Sequence, residues 1–187
     1  MMENFGLLMV AGVVVLGLIL GGMKSAEPPR TVETLDVSRY MGRWYALAHI
    51  PTSFERGCAK GTTATYTLLP NGQIEVLNEC FDAKGRKKVV RGRAWIPNPN
   101  EPAKLKVSFV NLFGIWLFAG DYWVIELAPD YSYAVVGHPQ RKYGWVLSRT
   151  PTVDEATWKK IRNALEREGY RWEQFVLIDQ SVHEKGG

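Results

Sequence analysis

Of the side chains that do chemistry, the carboxylate of Glu126 raises the sharpest question, because it shares a period-two face with Tyr122 and Val124. A carboxylate turned into an apolar interior has a raised pKa and can serve as a general base. The opposite row, Trp123, Ile125 and Leu127, is equally apolar, so the strand can bury either face; with the second row inward, the preferred reading, Glu126 is merely exposed. No other residue supports catalysis. His49, His138 and His183 are scattered, His49 with outward parity on its strand and His138 in a turn, and both read as surface histidines. There is no GxSxG elbow, no HExxH or other metal-ligand spacing and no Gly-rich phosphate loop. The expectation is therefore no catalytic residue, no metal and no cofactor.

The elements that position these groups begin at Tyr40-Met41-Gly42-Arg43-Trp44-Tyr45, where a helix-like lead-in (Val37 to Tyr40) stops at a glycine and gives way to alternation. Trp44, Ala46, Ala48 and Ile50 then share one strand face. A large ring followed by two alanines plugs one end of an enclosed space and leaves room beyond. Further strands read as 60–69, 73–80, 87–96, 104–110, 120–128, 131–137 and 143–149, after a first strand at 43–50. Turn signals separate them, among them Pro70-Asn71-Gly72, Pro97-Asn-Pro-Asn and Pro129-Asp130. Eight strands with short connections favour an all-β, antiparallel up-and-down barrel. The period then changes: Thr152-Val-Asp-Glu155 reads as a capping box, Trp158, Ile161 and Leu165 fall on one helical face, and Gly169 ends the run. A last short strand is expected at Phe175 to Ile178.

The chain has 187 residues, 46% of them hydrophobic, enough for one domain that buries roughly 70% of its unfolded surface. The net charge of +4 is modest and the basic residues are not interleaved as nucleic-acid binding requires, so no nucleic-acid partner is expected. Phe5 to Gly22 is a separate object, an 18-residue run without a charge between Glu3 and Lys24. Its length fits a signal-peptide core or a membrane anchor. The expected organisation is residues 1–26 as that segment, 27–36 as a linker marked by Pro28-Pro29, and 37–187 as the barrel domain.

In an up-and-down barrel alternate connections gather at opposite ends. If Trp44 begins the first strand at the base, Arg149 ends the eighth strand near it, and the guanidinium can stack on the indole. Gly42, Trp44 and Arg149 are thus expected to close the base. The same alternation places Cys58 and Cys80 side by side at the opposite end, where they form a disulfide or remain as buried thiols; two cysteines downstream of an export-type segment favour the disulfide.

The inward rows then supply the candidate ligand-binding residues Ala48, Ala64, Tyr66, Asn78, Val107, Phe109, Tyr122 and Trp145. Small residues on one side, aromatics on the other and few polar groups suit one amphiphile or lipid. At the open end the connection Asn111 to Gly120 carries Phe113, Trp116 and Phe118 and no charge. Such a loop is expected to dock on a membrane surface, with a lid over the pocket or a homodimer contact as the alternatives.

Three stretches in order, Gly42-Arg43-Trp44-Tyr45, Asp121-Tyr-Trp-Val-Ile-Glu-Leu and Tyr143-Gly-Trp-Val-Leu-Ser-Arg149-Thr-Pro, resemble the three conserved regions of the lipocalin family. The resemblance runs from about Val37 to Val176. It is closest to the bacterial outer-membrane lipocalins, the plant temperature-induced lipocalins and apolipoprotein D. It implies an eight-stranded barrel with a C-terminal helix packed outside, an arginine that covers the base tryptophan, and no enzyme activity. As ligand it implies a fatty acid or lysophospholipid, carried in the cell envelope on the periplasmic or extracytoplasmic side. Bacterial relatives often carry a lipid-modified cysteine after the apolar run; here Met23 follows Gly22. A pigment carrier and a lipid-modifying enzyme on the same barrel are the competing readings.

Overall fold

The computed structural model describes residues 27–53 and 56–184; the segment expected as signal peptide or anchor, residues 1–26, lies outside them. Among the described residues no helix is long and apolar enough to cross a membrane. A short helix α1 (Val37–Tyr40) leads into β1 (Gly42–His49), followed by β2 (Lys60–Leu68), β3 (Ile74–Phe81), β4 (Lys87–Trp95) and β5 (Lys104–Ser108). A small hairpin, β6 (Val110–Leu112) and β7 (Ile115–Leu117), precedes β8 (Gly120–Leu127), β9 (Tyr133–Gly137) and β10 (Gly144–Ser148). After α2 (Glu155–Arg167) come β11 (Val176–Leu177) and α3 (Ser181–Glu184). The strand order β10-β9-β8-β5-β4-β3-β2-β1 closes through an antiparallel β10–β1 pairing, and β11 is added beside β1. This is the expected closed, eight-stranded antiparallel barrel. Closure removes the free sheet edges that an open antiparallel sheet would expose.

Two apolar layers hold it. One fills the barrel around Trp44, Ala46, Val76, Leu105, Val124, Val136 and Leu147. The other lies between the barrel wall and α2, where Ile161 and Leu165, both fully buried, meet Val135, Val146 and Ile125. The helix starts later than a Thr152 cap implies: Asp154 is the N-cap, its carboxylate accepting from the Thr157 N–H at 2.8 Å. Gly169 ends it at φ +79°, with the Tyr170 N–H returning to the Leu165 carbonyl.

Two β-bulges decide which residues face which layer. In β1 the pairing with β10 slips between Ala46 and Ala48, so Ala46 opposes Leu147 and Ala48 opposes Val146. Ala48 therefore belongs to the outer layer under α2, and the expected inward row ends at Ala46. The same slip pairs His49 with Trp145, which turns His49 to the inner face, opposite to its expected outward parity. In β8 the register with β9 shifts between Val124 and Glu126, leaving Ile125 as the extra residue. Neither row of β8 is buried whole: Tyr122, Val124 and Leu127 pack inside and Ile125 outside.

The stretch expected as a linker is docked. The Arg30 N–H and guanidinium bond the Glu168 carboxylate, the Val32 N–H donates to the Val124 carbonyl, and Leu35 is buried in the inner layer. Residues 27–36 are thus part of the packed unit, running down the outside of the barrel to its base.

Candidate functional site

At the base Gly42 sits at φ +94°, a left-handed conformation that L side chains rarely adopt, and a Cβ there would lie 3.4 Å from Arg149 Nη1. That glycine lets β1 begin directly under Trp44, which is fully buried and donates from its indole N–H to the Tyr40 carbonyl at 2.8 Å. The Arg149 guanidinium lies 3.7 Å from the Trp44 ring centre and donates to the carbonyls of Arg43 at 2.9 Å and Arg39 at 2.8 Å. The base is closed by stacking and by two charge-assisted hydrogen bonds.

Above this plug three phenols meet. The Tyr122 hydroxyl is 2.8 Å from that of Tyr40 and 2.9 Å from that of Tyr66. Two of the three were expected in the pocket; Tyr40 was not, because its four-residue helix shows no inward periodicity in the sequence. Two hydrogen bonds use two of three hydroxyl protons, which leaves one for another acceptor. Burial pushes the Tyr66 phenol up to about 12 and raises Tyr40 and Tyr122 well above the ordinary value. A phenol whose folded pKa is raised stabilises the fold fully below its unfolded pKa and loses that contribution as pH rises through the folded value. From 10.0 to about 12, Tyr66 alone contributes about 2 to 3 kcal/mol. The urea midpoint should hold steady up to pH 9 and fall from about pH 10 upward, more gently in Tyr66→Phe. A variant that falls as steeply as wild type would show that Tyr66 is not the group that titrates.

Exposure rises from base to mouth along the inward rows of β4, β5 and β10, whereas β9 stays buried through Val136. On β4 it runs from Ala94 at 5% to Val90 at 50%, and on β5 from Leu105 at 4% to Phe109 at 42%. On β10 the buried Leu147 gives way to a half-buried Trp145, and on β3 the buried Ile74 and Val76 give way to a half-buried Asn78. Apolar side chains that point inward yet remain accessible define a cup, sealed below and open above. Gly92 makes room for Phe109, whose ring atoms lie 2.6 Å from where a Cβ would be. Asn78 Oδ1 is buried without a hydrogen-bond partner. On the β10 side His138, Tyr143 and Trp145 form a ladder of rings, with centres 5.2 and 6.1 Å apart.

Of the residues expected to bind ligand, Ala64, Tyr66, Val107, Tyr122 and Trp145 pack in the inner layer, Asn78 pairs with Ala64 and Phe109 lies against Gly92, whereas Ala48 packs in the outer layer. Glu126, the one carboxylate weighed as an internal base, faces α2, its carboxylate 2.6 Å from the Arg167 guanidinium. At the mouth Cys58 and Cys80 form a disulfide. The β6–β7 hairpin also rises here and leans on the outside of the wall: Trp116 stacks over Arg93 at 5.4 Å, and the Ser108 hydroxyl bonds the Leu117 carbonyl. Trp116 is accordingly half-buried, whereas Phe113 and Phe118 stand 95% and 87% exposed.

Comparison with known proteins places this geometry. Residues 35–180 match the profile of the Lipocalin-like domain. Over 151 residues the chain is 41% identical to Temperature-induced lipocalin-1 of Arabidopsis thaliana, covering 79% of this chain and 81% of the relative. Over 160 residues it is 38% identical to Outer membrane lipoprotein Blc of Escherichia coli K12, covering 83% and 87%. Among solved structures, insecticyanin from the tobacco hornworm Manduca sexta superposes with a TM-score of 0.64 at 23% identity, covering 81% of this chain and 84% of that one.

Proposed function

Because the chain belongs to the lipocalin family, whose members bind small hydrophobic ligands, we propose that it carries a fatty acid or lysophospholipid on the extracytoplasmic side of the cell envelope. The observation that carries this reading is the exposure gradient of the inward rows, which ends in an apolar cup with Val90, Phe109 and Trp145 at its accessible end. Such a cup holds an acyl chain, and its few polar groups fix a head group. Two candidates for that role are the phenol cluster, with one proton to donate, and Asn78, whose Oδ1 is unpartnered and whose amide can also donate. Export is supported by the Cys58–Cys80 disulfide, since such bonds persist in oxidising compartments, and by the name of the Escherichia coli relative.

A fatty acid titrated into the protein should change the tryptophan emission, and Trp145→Phe should remove most of that change. Of the seven tryptophans, Trp44 is sealed in the base, while Trp123, Trp158 and Trp172 pack in the outer layer. An undiminished response in Trp145→Phe would move the ligand out of the cup. Mass spectrometry of protein extracted from its own membrane identifies the native occupant, and a coloured one would favour the pigment-carrier reading.

A further inference from the structure

The described chain begins at the mouth. The Glu27 carbonyl accepts from Arg141 Nη2 at 2.8 Å, and Arg141 lies in the β9–β10 connection, at the end of the barrel opposite Trp44 and Arg149. The Arg141 guanidinium also donates to the Glu168 carbonyl, where α2 ends, so this exit point is held from two sides. From there the chain descends to Asp36, whose N–H donates to the Tyr131 hydroxyl at the base. The point at which the preceding sequence, with its apolar run Phe5 to Gly22, joins the described chain is therefore beside the opening.

Other mouth features match it. The β6–β7 hairpin presents Leu112, Phe113, Ile115 and Phe118 at 52%, 95%, 64% and 87% exposure, with no charge between residues 109 and 119. Phe113 and Phe118 hold left-handed backbone angles, φ 50° and 54°, a conformation that is unfavourable for a bulky L residue. That cost goes to projecting two rings into solvent, where they gain nothing from water. The neighbouring connections carry Arg56, Lys84, Arg86, Arg141 and Lys142 against Glu55 and Asp82, with Arg86 paired to Asp82. The base connections, residues 69–73, 96–103 and 128–132, carry Glu101 and Asp130 and no Lys or Arg. The mouth connections are thus richer in Lys and Arg than the base connections, although Arg39, Arg43 and Arg149 surround the Trp44 plug.

We infer that the β6–β7 hairpin engages a lipid bilayer, holding the barrel mouth-down so that ligand passes between lipid and cup without crossing water; this rests on the carrier reading above. An uncharged run of 18 residues has the length to cross the hydrocarbon core. The five residue steps from Gly22 to Glu27 reach at most about 17 Å. The eight residues of β1 extend about 26 Å along the strand, more than that span, which favours the mouth over the base as the end nearer such a membrane. Anionic head groups under the mouth attract the Lys and Arg side chains of its connections. The occupant of the hairpin is the bilayer, and a second copy of the chain is the outcome the experiment must exclude.

The full chain is reconstituted in phosphatidylcholine vesicles containing phosphatidylglycerol, with an environment-sensitive fluorophore on Phe113→Cys, on Phe118→Cys as a second mouth probe, or on Asn100→Cys at the base. A label seated about 5–10 Å into the head-group and acyl boundary should shift to the blue and lose about half of its emission to bromine-bearing acyl chains. The label at 100 should behave as it does in buffer. Quenching at 100 with none at 113 and 118, or at no position, overturns the inference. So does a blue shift at 113 that depends on protein concentration and resists the lipid quencher, which would place a second copy on the hairpin. Fatty-acid binding by the same labelled proteins in detergent is read in parallel: binding retained without quenching sinks the orientation alone, whereas binding lost in every variant and in the unlabelled chain sinks the carrier reading.

Discussion

Trp44→Ala should cost the fold about 3–5 kcal/mol, the usual range for removing a large buried ring, while leaving the ligand preference of the folded fraction unchanged. Trp44 is fully buried and joins three otherwise separate pieces: α1 through the Tyr40 carbonyl, β1 through its own backbone, and the end of β10 through the Arg149 guanidinium 3.7 Å from the ring. Removing the ring opens a void against Tyr40, whose ring centre lies 5.0 Å away. It also leaves Arg149 over an empty site. Arg149→Ala should cost less, about 1.5–3 kcal/mol, because it removes the hydrogen bonds to the Arg39 and Arg43 carbonyls from a partly solvated rim. Urea unfolding followed by far-ultraviolet circular dichroism measures both. Fatty-acid affinity is measured in parallel at low denaturant. A Trp44→Ala protein of full stability that no longer binds ligand would mean that Trp44 lines the pocket instead of closing it.

The base was legible in the sequence because its signals are local and strong. Alternation and strand count bring Arg149 to the end where Trp44 begins the first strand, the resemblance of the three stretches supplied the closing role, and the positive φ of Gly42 and the Trp44–Arg149 stack agree with both. The adjacency of Cys58 and Cys80 follows from the same alternation, and the preference for a disulfide came from the export-type segment before them. What alternation could not supply was its own interruption. A bulge inserts one residue that carries no compositional mark, so Ala48 and Ile125 moved to the outer layer and His49 moved to the inner face. The ambiguity of β8 had the same origin: both rows are apolar because the strand serves the cup with Tyr122, Val124 and Leu127 and the helix with Ile125. Glu126 could be assigned only once Arg167, 41 residues away, was seen opposite it. Tyr40 was missed for another reason: a single turn of helix shows no period, and its hydroxyl reaches Tyr122 only through tertiary folding.

Breaking the Cys58–Cys80 bond should lower stability by about 3 kcal/mol, the chain-entropy value for a loop of this size, and loosen the mouth more than the base. The two residues are 22 apart in sequence, and the bond joins the β1–β2 connection to the end of β3. Beside it the Ala59 N–H donates to the Phe81 carbonyl at 2.7 Å and Lys60 pairs with Phe81, so native contacts already hold the ends together once folded. The loss then comes mostly from a freer unfolded chain. Reduced wild type and the double variant Cys58→Ala with Cys80→Ala should therefore lose similar amounts in urea unfolding. Cys80 is buried, so alanine avoids placing a new polar atom there. Hydrogen exchange should quicken around residues 58–62 and 79–82 and stay slow at Trp44 and Leu147. Because that connection stands at the rim, ligand should also leave the cup faster, with little change in its rate of entry. A loss well under about 1 kcal/mol would mean that the reduced, unfolded chain keeps the β2–β3 hairpin. Equal quickening of exchange at base and mouth would mean that the barrel opens only as a whole, with no separately yielding rim.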